Sequence, residues 1–449
     1  MKTACATLTV CASVIACGSS DGGGSVRDAG VSQDAATGDG GPSDVWTPTF
    51  TDEVVEGLSS TAVVGDFAEM VLSPSGAPAI AYGYVPAASD VPEIHFAQRS
   101  SADGTWTTER VVIPAANEPQ TNGTIRGLGL GYVDGSAHVV YLGGDDDDRG
   151  VIADLTDLML STRSAGGTWT ERTLVDTSGE APGDCPGTQD TCNFGNVVGS
   201  SAAIAVDAAG SAFAVSYRDT HGGFALEDLR LSDVEVYSEG GPFRNSNVDP
   251  VSSGGNAGNI MFTASNKILT VYNREVSLTS DAQPIGVWAA LYDAGAWTKV
   301  KVWDHTSGSK LRLAQAPNGL IYMAIYDQTD NDLVLASSDD DGMTWATETV
   351  ESVGYTGLHP SVAIDLEGDP VVAYTYCGPA SGGCSSLGAK SEVRVARKKG
   401  GTWLTRLVHD GQGFGGVGYF TSVQVLADGK LVFAFQDARN SDLVFVREE

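Results

Sequence analysis

One phrase, repeated along the chain, restricts the fold more than any other feature. It is Gly-Thr-Trp or a close variant, followed by residues of alternating polarity. Copies read TWTTERVV at Trp106, TWTERTLV at Trp169, AWTKVKVW at Trp297, TWATETVE at Trp345 and TWLTRLVH at Trp403. A degenerate copy sits at Phe243. A second phrase precedes each copy: an apolar run, a Gly or Asn turn, then a run closing on an aromatic. Those closing residues are Tyr82, Tyr141, Tyr217, Tyr272, Tyr326, Tyr374 and Phe435, which makes seven units. Period-two alternation bounded by turn residues is the pattern of strands, and no long stretch shows a helical apolar period. Each unit therefore reads as four antiparallel strands: a hairpin, a third strand such as Ile94–Arg99 or Glu392–Arg397, and the Trp strand. Units of this kind, recurring every few dozen residues, predict an all-β, seven-bladed β-propeller.

The seventh unit runs out at Glu449 after its third strand, Leu443–Arg447. A spare copy of the fourth strand stands before the first unit, where Phe50 occupies the Trp position of TFTDEVV. The expectation is that this N-terminal strand completes the last blade and closes the ring, removing the exposed sheet edge. Composition agrees with a repeat fold. At 449 residues the chain exceeds what one hydrophobic core supports, and 42% hydrophobic against 18% charged residues excludes general disorder. Fifty-seven acidic against 26 basic side chains give a net charge of −31. Nucleic acid and anionic lipid headgroups are poor partners for such a surface.

The first 45 residues carry an address rather than a fold. Lys2 is followed by a small, apolar stretch from Ala4 to Ala16, too short to span a bilayer and suited to a signal peptide. Val14-Ile15-Ala16-Cys17 resembles the bacterial lipobox. The resemblance implies that residues 1–16 are removed and Cys17 is acylated. With Gly18 after it, it also implies a protein of the bacterial cell envelope, sorted to the outer membrane. Residues 18–45 are Gly, Ser, Asp and Ala with almost no large apolar side chain, so they cannot offset ordering entropy and are expected to be a flexible tether. The fold is expected over residues 46–449, as a single copy, touching the membrane through the lipid alone. Four cysteines remain, Cys185, Cys192, Cys377 and Cys384, in two pairs each seven positions apart. An exported chain keeps disulfides, and local pairing is the simplest of three connectivities.

Ser338-Asp339-Asp340-Asp341-Gly342-Met343-Thr344-Trp345 matches Ser-x-Asp-x-Gly-x-Thr-Trp at every fixed position. This resembles the Asp-box, or BNR repeat, of the sialidase superfamily of propellers. In that family the box lies on the turn between strands three and four, away from the working face. The chemistry agrees: Gly342 permits a tight turn and Asp340 can accept its backbone N–H groups. No cofactor is called for. Calcium is the alternative use of the acidic residues at Asp339–Asp341 and Asp145–Asp148.

The resemblance places the working face at the loops after strand two and between blades, where the chain is longest. A sialidase grips its substrate's carboxylate with three arginines, and the family's Arg-Ile-Pro motif is absent here. Candidate arginines are Arg126, Arg149, Arg218, Arg274, Arg312 and Arg439, with nothing in the repeat to select three. The strand-two ends align Arg218, Asp219, Arg274, Asp327 and Asp437 around a central funnel. His221 and His359 are candidate general bases at predicted loops. The expected function is a surface-anchored binding or scaffold module for a glycan or protein on the long-loop face. The alternative is a glycan-cleaving enzyme, a sialidase-like hydrolase or a polysaccharide lyase.

Overall fold

A computed structural model describes residues 46–57, 62–87, 92–112, 127–143, 157–175, 197–220, 232–249, 254–275, 284–378, 390–411 and 415–449. The signal segment, the tether, Cys17, Arg126, Asp145–Asp148, Arg149, Cys185, Cys192, His221 and Cys384 lie outside the described residues. In chain order the strands are β1 (Phe50–Glu56), β2 (Val63–Leu72), β3 (Pro78–Val85), β4 (Glu93–Arg99), β5 (Trp106–Val112), β6 (Leu128–Val133), β7 (Ser136–Gly143), β8 (Asp157–Arg163), β9 (Trp169–Val175) and β10 (Val197–Val206). They continue with β11 (Phe213–Thr220), β12 (Ser232–Glu239), β13 (Asn245–Asn247), β14 (Gly254–Phe262), β15 (Ile268–Arg274), β16 (Gly286–Asp293), β17 (Ala296–Trp303), β18 (Arg312–Gln315) and β19 (Ile321–Asp327). The last are β20 (Asp332–Ser338), β21 (Ala346–Glu351), β22 (Thr356–Ile364), β23 (Pro370–Tyr376), β24 (Glu392–Lys399), β25 (Thr402–His409), β26 (Val417–Val425), β27 (Leu431–Asp437) and β28 (Asp442–Glu448).

These strands form seven four-stranded antiparallel sheets. Six are consecutive, from β2-β3-β4-β5 to β22-β23-β24-β25, and become blades one to six. The seventh has the order β1-β28-β27-β26, so the N-terminal strand supplies its outer edge. Phe50 stands opposite Glu448 and Val54 opposite Val444, and the Phe50 ring meets Phe433 edge-on at 5.6 Å. The first strand of each blade contacts the first strand of the next, and β26 returns to β2. The result is a closed propeller.

The second strand of each blade is buried on both faces, as in Leu431–Asp437, which explains its almost unbroken apolar run. The apolar clusters span neighbouring blades. One joins Ala81 and Phe96 of blade one to Val139 and Tyr141 of blade two. Another joins Tyr82 of blade one to Phe445 of blade seven.

The Trp strands add a regular fastening near the rim. Trp106 Nε1 donates to Glu53 at 2.9 Å, Trp169 Nε1 to Glu109 at 3.0 Å, and Trp403 Nε1 to Glu348 at 3.3 Å. Each acceptor lies three residues after the Trp-equivalent position of the preceding blade. Each also takes a cation from the third strand of the Trp's own blade: Arg99, Arg163 and Lys398 respectively. Blades three, four and five depart from the pattern. In blade three Phe243 replaces Trp, the outer strand β13 is short, and Phe243 packs on Tyr292 at 4.6 Å; in blade four Trp297 Nε1 donates to Ser246 Oγ at 2.9 Å, and in blade five Trp345 bonds within its own turn.

The Asp-box is a turn clamp between β20 and β21. Asp340 Oδ1 accepts the backbone N–H groups of Met343 at 3.0 Å and Thr344 at 2.8 Å. Its Oδ2 accepts the Thr344 hydroxyl at 2.8 Å. Ser338 Oγ accepts the Gly342 N–H at 2.9 Å, and Trp345 Nε1 donates to the Gly342 carbonyl at 2.8 Å. The Trp345 ring then packs on the cluster shared by blades four and five.

Candidate ligand-binding site at the propeller axis

The inner strands share a backbone irregularity that the side-chain repeat does not announce. In five of them a glycine of positive φ is followed two residues later by a non-glycine residue of positive φ. The pairs are Gly65/Phe67, Gly199/Ser201, Gly255/Ala257, Gly357/His359 and Gly418/Phe420. The pairing register with strand two slips on each side of this point. Bulges of this kind re-aim side chains and gather near binding sites. Glycine is required at the first position. At Gly357 a Cβ would lie 2.8 Å from both Cα and Cβ of Leu333 in the adjoining blade.

Around this ring the structure encloses a cavity of about 290 Å³ at the end of the axis where strand one begins and strand two ends. Its floor is charged. Lys310, in the segment before β18, reaches across the axis to Glu69 on β2. The same ammonium meets the Leu128 carbonyl at 3.1 Å and the Ala202 carbonyl at 3.5 Å. Arg312, the first residue of β18, takes the other Glu69 oxygen through one terminal nitrogen, while its buried Nε has no hydrogen-bond partner among the described residues. Residues of blades one, two, three and five thus meet at one point. Burial raises the Glu69 carboxyl, but the charges and hydrogen bonds of Arg312 and Lys310 outweigh it and hold it below its ordinary value. Burial brings Lys310 down to about 8, with Glu69 opposing the fall and Arg312 adding to it.

One wall is aromatic. Phe67 and Phe420 lie 4.6 Å apart and His359 is 5.1 Å from Phe420; behind the wall, outside the cavity lining, Tyr419 is 5.2 Å from His359. All four side chains are only partly buried. Ser307, Ser309 and Gln328 line the cavity with polar groups. The His359 N–H donates to Ser309 Oγ at 3.0 Å. Burial and the neighbouring Arg312 push the His359 imidazole down to about 4, so the ring is neutral at neutral pH.

The sequence places His359 in a loop; the structure corrects this. His359 lies within the inner strand β22, and its positive φ is part of the bulge. Of the sequence candidates, the structure brings His359 and Arg312 to the cavity. The strand-two ends are engaged locally. Arg274 binds Asp249 at 2.5 and 2.8 Å and lies 3.8 Å over the Trp288 ring. Asp327 accepts from Trp303 Nε1 at 2.9 Å and pairs with His305 at 2.7 Å. Asp437 caps the β27–β28 turn through the N–H groups of Arg439 and Asn440. Arg218 and Asp219 are buried on β11, opposite Ser200 and Val198. Among the described candidate arginines, Arg312 alone lines this cavity. Lys310, Glu69 and the aromatic wall carry no repeat motif; the Gly-x-bulge spacing is the signal that would have found the wall.

Two groups bring potential cation ligands together, His305–Asp327–Asp330 and Asp365–Glu367–Asp369. The key acid of each is already committed, Asp327 as above and Asp365 to Arg397 at 2.8 Å and Lys399 at 3.2 Å. Cys377 is buried.

No family model matches the sequence, and no curated protein matches it. Among solved structures, the chain is similar to a protein of unknown function from Dyadobacter fermentans DSM 18053. The TM-score is 0.52 at 11% identity, covering 89% of this chain and 97% of that one. It is also similar to the NanB sialidase of Streptococcus pneumoniae, with a TM-score of 0.44 at 11% identity over 88% of this chain and 70% of that one. Trypanosoma rangeli sialidase in complex with sialic acid gives a TM-score of 0.46 at 12% identity, over 78% of this chain and 56% of that one. At these identities the likeness is one of fold: the chain is a seven-bladed β-propeller of four-stranded antiparallel blades.

Proposed function

We propose that this chain is a lipid-anchored envelope protein whose propeller is a binding module, with a glycan as ligand at the axial cavity. One observation carries the reading. The two cations of the cavity are bound to the protein's own Glu69, while the rings of Phe67 and Phe420 remain partly open beside them. Aromatic faces beside hydroxyl and amide side chains suit a sugar ring, which has apolar faces and polar edges. The lipobox resemblance at Cys17 supports the anchor, and the Cys377–Cys384 and Cys185–Cys192 pairings are proposed as local staples of the long loops.

A specific observation favours a second reading, a glycan-cleaving enzyme. His359 is a neutral imidazole beside Arg312 with no hydrogen bond to its ring among the described residues. A glycan array combined with a cleavage screen separates the two. Binding without new reducing ends or unsaturated products supports the module; turnover that is lost in His359→Gln overturns it. Cys17→Ser tests the anchor: the variant should partition into the aqueous phase of a detergent extraction, and membrane retention would refute acylation at Cys17.

A further inference from the structure

The cavity floor is built as an anion seat and is already filled. Two cations from one blade face the axis, and both oxygens of Glu69 from the opposite side of the ring meet them. Lys310 has three N–H donors, and three acceptors surround it: Glu69 and the carbonyls of Leu128 and Ala202. A carboxylate on a ligand would have to displace Glu69 or settle against it. Two carboxylates sharing one site disfavour each other's ionisation. Glu275 also lines the cavity. Both cations of the seat are engaged by Glu69 before a ligand arrives.

What remains accessible is of a different kind. Three rings from three adjoining inner strands, Phe67, His359 and Phe420, form the wall, and among the described residues Arg312 Nε is a buried donor without a partner. The cavity lies at the small end of ligand-site volumes, roughly 300–1,000 Å³, which admits a chain end rather than a polymer laid across it.

We infer that the axial cavity takes the end of a neutral glycan and rejects acidic sugars, because Glu69 occupies the cationic seat an acidic sugar would need. This rests on the glycan-binding reading above. In it, the sugar ring lies on Phe67 and Phe420, and a ring or hydroxyl oxygen accepts from Arg312 Nε. Glu69 is the specificity determinant.

The test uses the full chain, titrated calorimetrically with methyl glycosides of neutral hexoses and with the matching hexuronates. The neutral glycosides should bind at least tenfold more tightly than their hexuronates. Glu69→Gln should invert that order, raising hexuronate affinity by more than the factor that separates the two series in the unaltered chain, with the gain falling as salt is added. Since Glu69→Gln leaves two cations facing each other, the double variant Glu69→Gln, Lys310→Gln gives the same comparison with one cation. Phe420→Ala should cost the neutral glycosides at least tenfold. Hexuronate preference in the unaltered chain would overturn the inference and leave glycan binding standing. Neutral binding untouched by Phe420→Ala would also overturn it, by placing the sugar elsewhere. Binding of neither series would overturn both the inference and the reading it rests on.

Discussion

The rim and the axis of this propeller are built by opposite rules. At the rim the side chains repeat. Trp106, Trp169 and Trp403 each donate to a Glu of the preceding blade, and that Glu takes an Arg or Lys from the Trp's own blade. At the axis the backbone repeats and the side chains diverge. The same bulge carries Phe67, Ser201, Ala257, His359 and Phe420 in five blades. Repetition at the rim encodes the ring. Divergence on a common backbone at the axis builds an asymmetric cavity from a symmetric scaffold. Two histidines show the same contrast. His95, at the junction of β1 with blade one, bonds Glu56 at 3.2 Å and Glu93 at 2.9 Å. His359, at the axis, faces a cation.

The largest expected effect breaks the ring at its closure. Deleting residues 18–45 should leave the thermal midpoint nearly unchanged, whereas deleting residues 18–57 also removes β1 and exposes the β28 edge. The loss should exceed the ~3–5 kcal/mol of truncating one buried aromatic and bring aggregation. Equal melting of the two truncations would refute the closure. Next comes the rim core: Phe445→Ala, removing a ring 5.1 Å from Trp106, should cost ~3–5 kcal/mol in denaturant unfolding. A loss below ~1 kcal/mol would show that the interface can collapse around the cavity.

The two histidines give a smaller effect whose sign separates the regions. Burial lowers His95, but its bonds and charge contacts with Glu56 and Glu93 outweigh it, so its pKa rises above 6.5. Its contribution is present below pH ~6.5 and is lost as pH climbs through the raised folded value, because the folded state there holds the extra proton. His359 is depressed to about 4, so stability falls as pH drops from ~6.5 towards 4, where the unfolded state binds the proton first. Melting His95→Gln and His359→Gln across pH 4–9 should flatten opposite limbs of the stability profile. Flattening of the same limb would contradict the assignments. The smallest effect is Glu109→Gln. It weakens one half-exposed fastening to Arg163 and Trp169 and should cost about 1 kcal/mol.

Legibility in the sequence follows the same division. The Trp repeat, the seven hairpins and the completing strand at Phe50 were readable because each blade must solve the same packing problem with the same residues. The fastening was not read from the sequence: a Glu stands three positions after Trp106 and Trp345, but its meaning needs the neighbouring blade. The site was readable only in part. Arg274, Asp327 and Asp437 draw the eye because they align, yet alignment reflects a shared structural task, and their side chains are engaged by Asp249, His305 and Asn440. Lys310 lies between two repeats and has no aligned counterpart. Bulges disturb strand alternation, so Phe67, His359 and Phe420 read as interruptions of the pattern rather than as a wall.

The most direct test of the division is a paired measurement of thermal midpoint and neutral-glycoside affinity on two variants. Glu109→Gln should lower the midpoint and leave affinity within twofold of the unaltered chain. Phe420→Ala should lower affinity at least tenfold while its midpoint shifts no more than that of an ordinary partly exposed aromatic. If both variants lose affinity in proportion to their loss of stability, rim and axis are not separate devices, and the account is wrong.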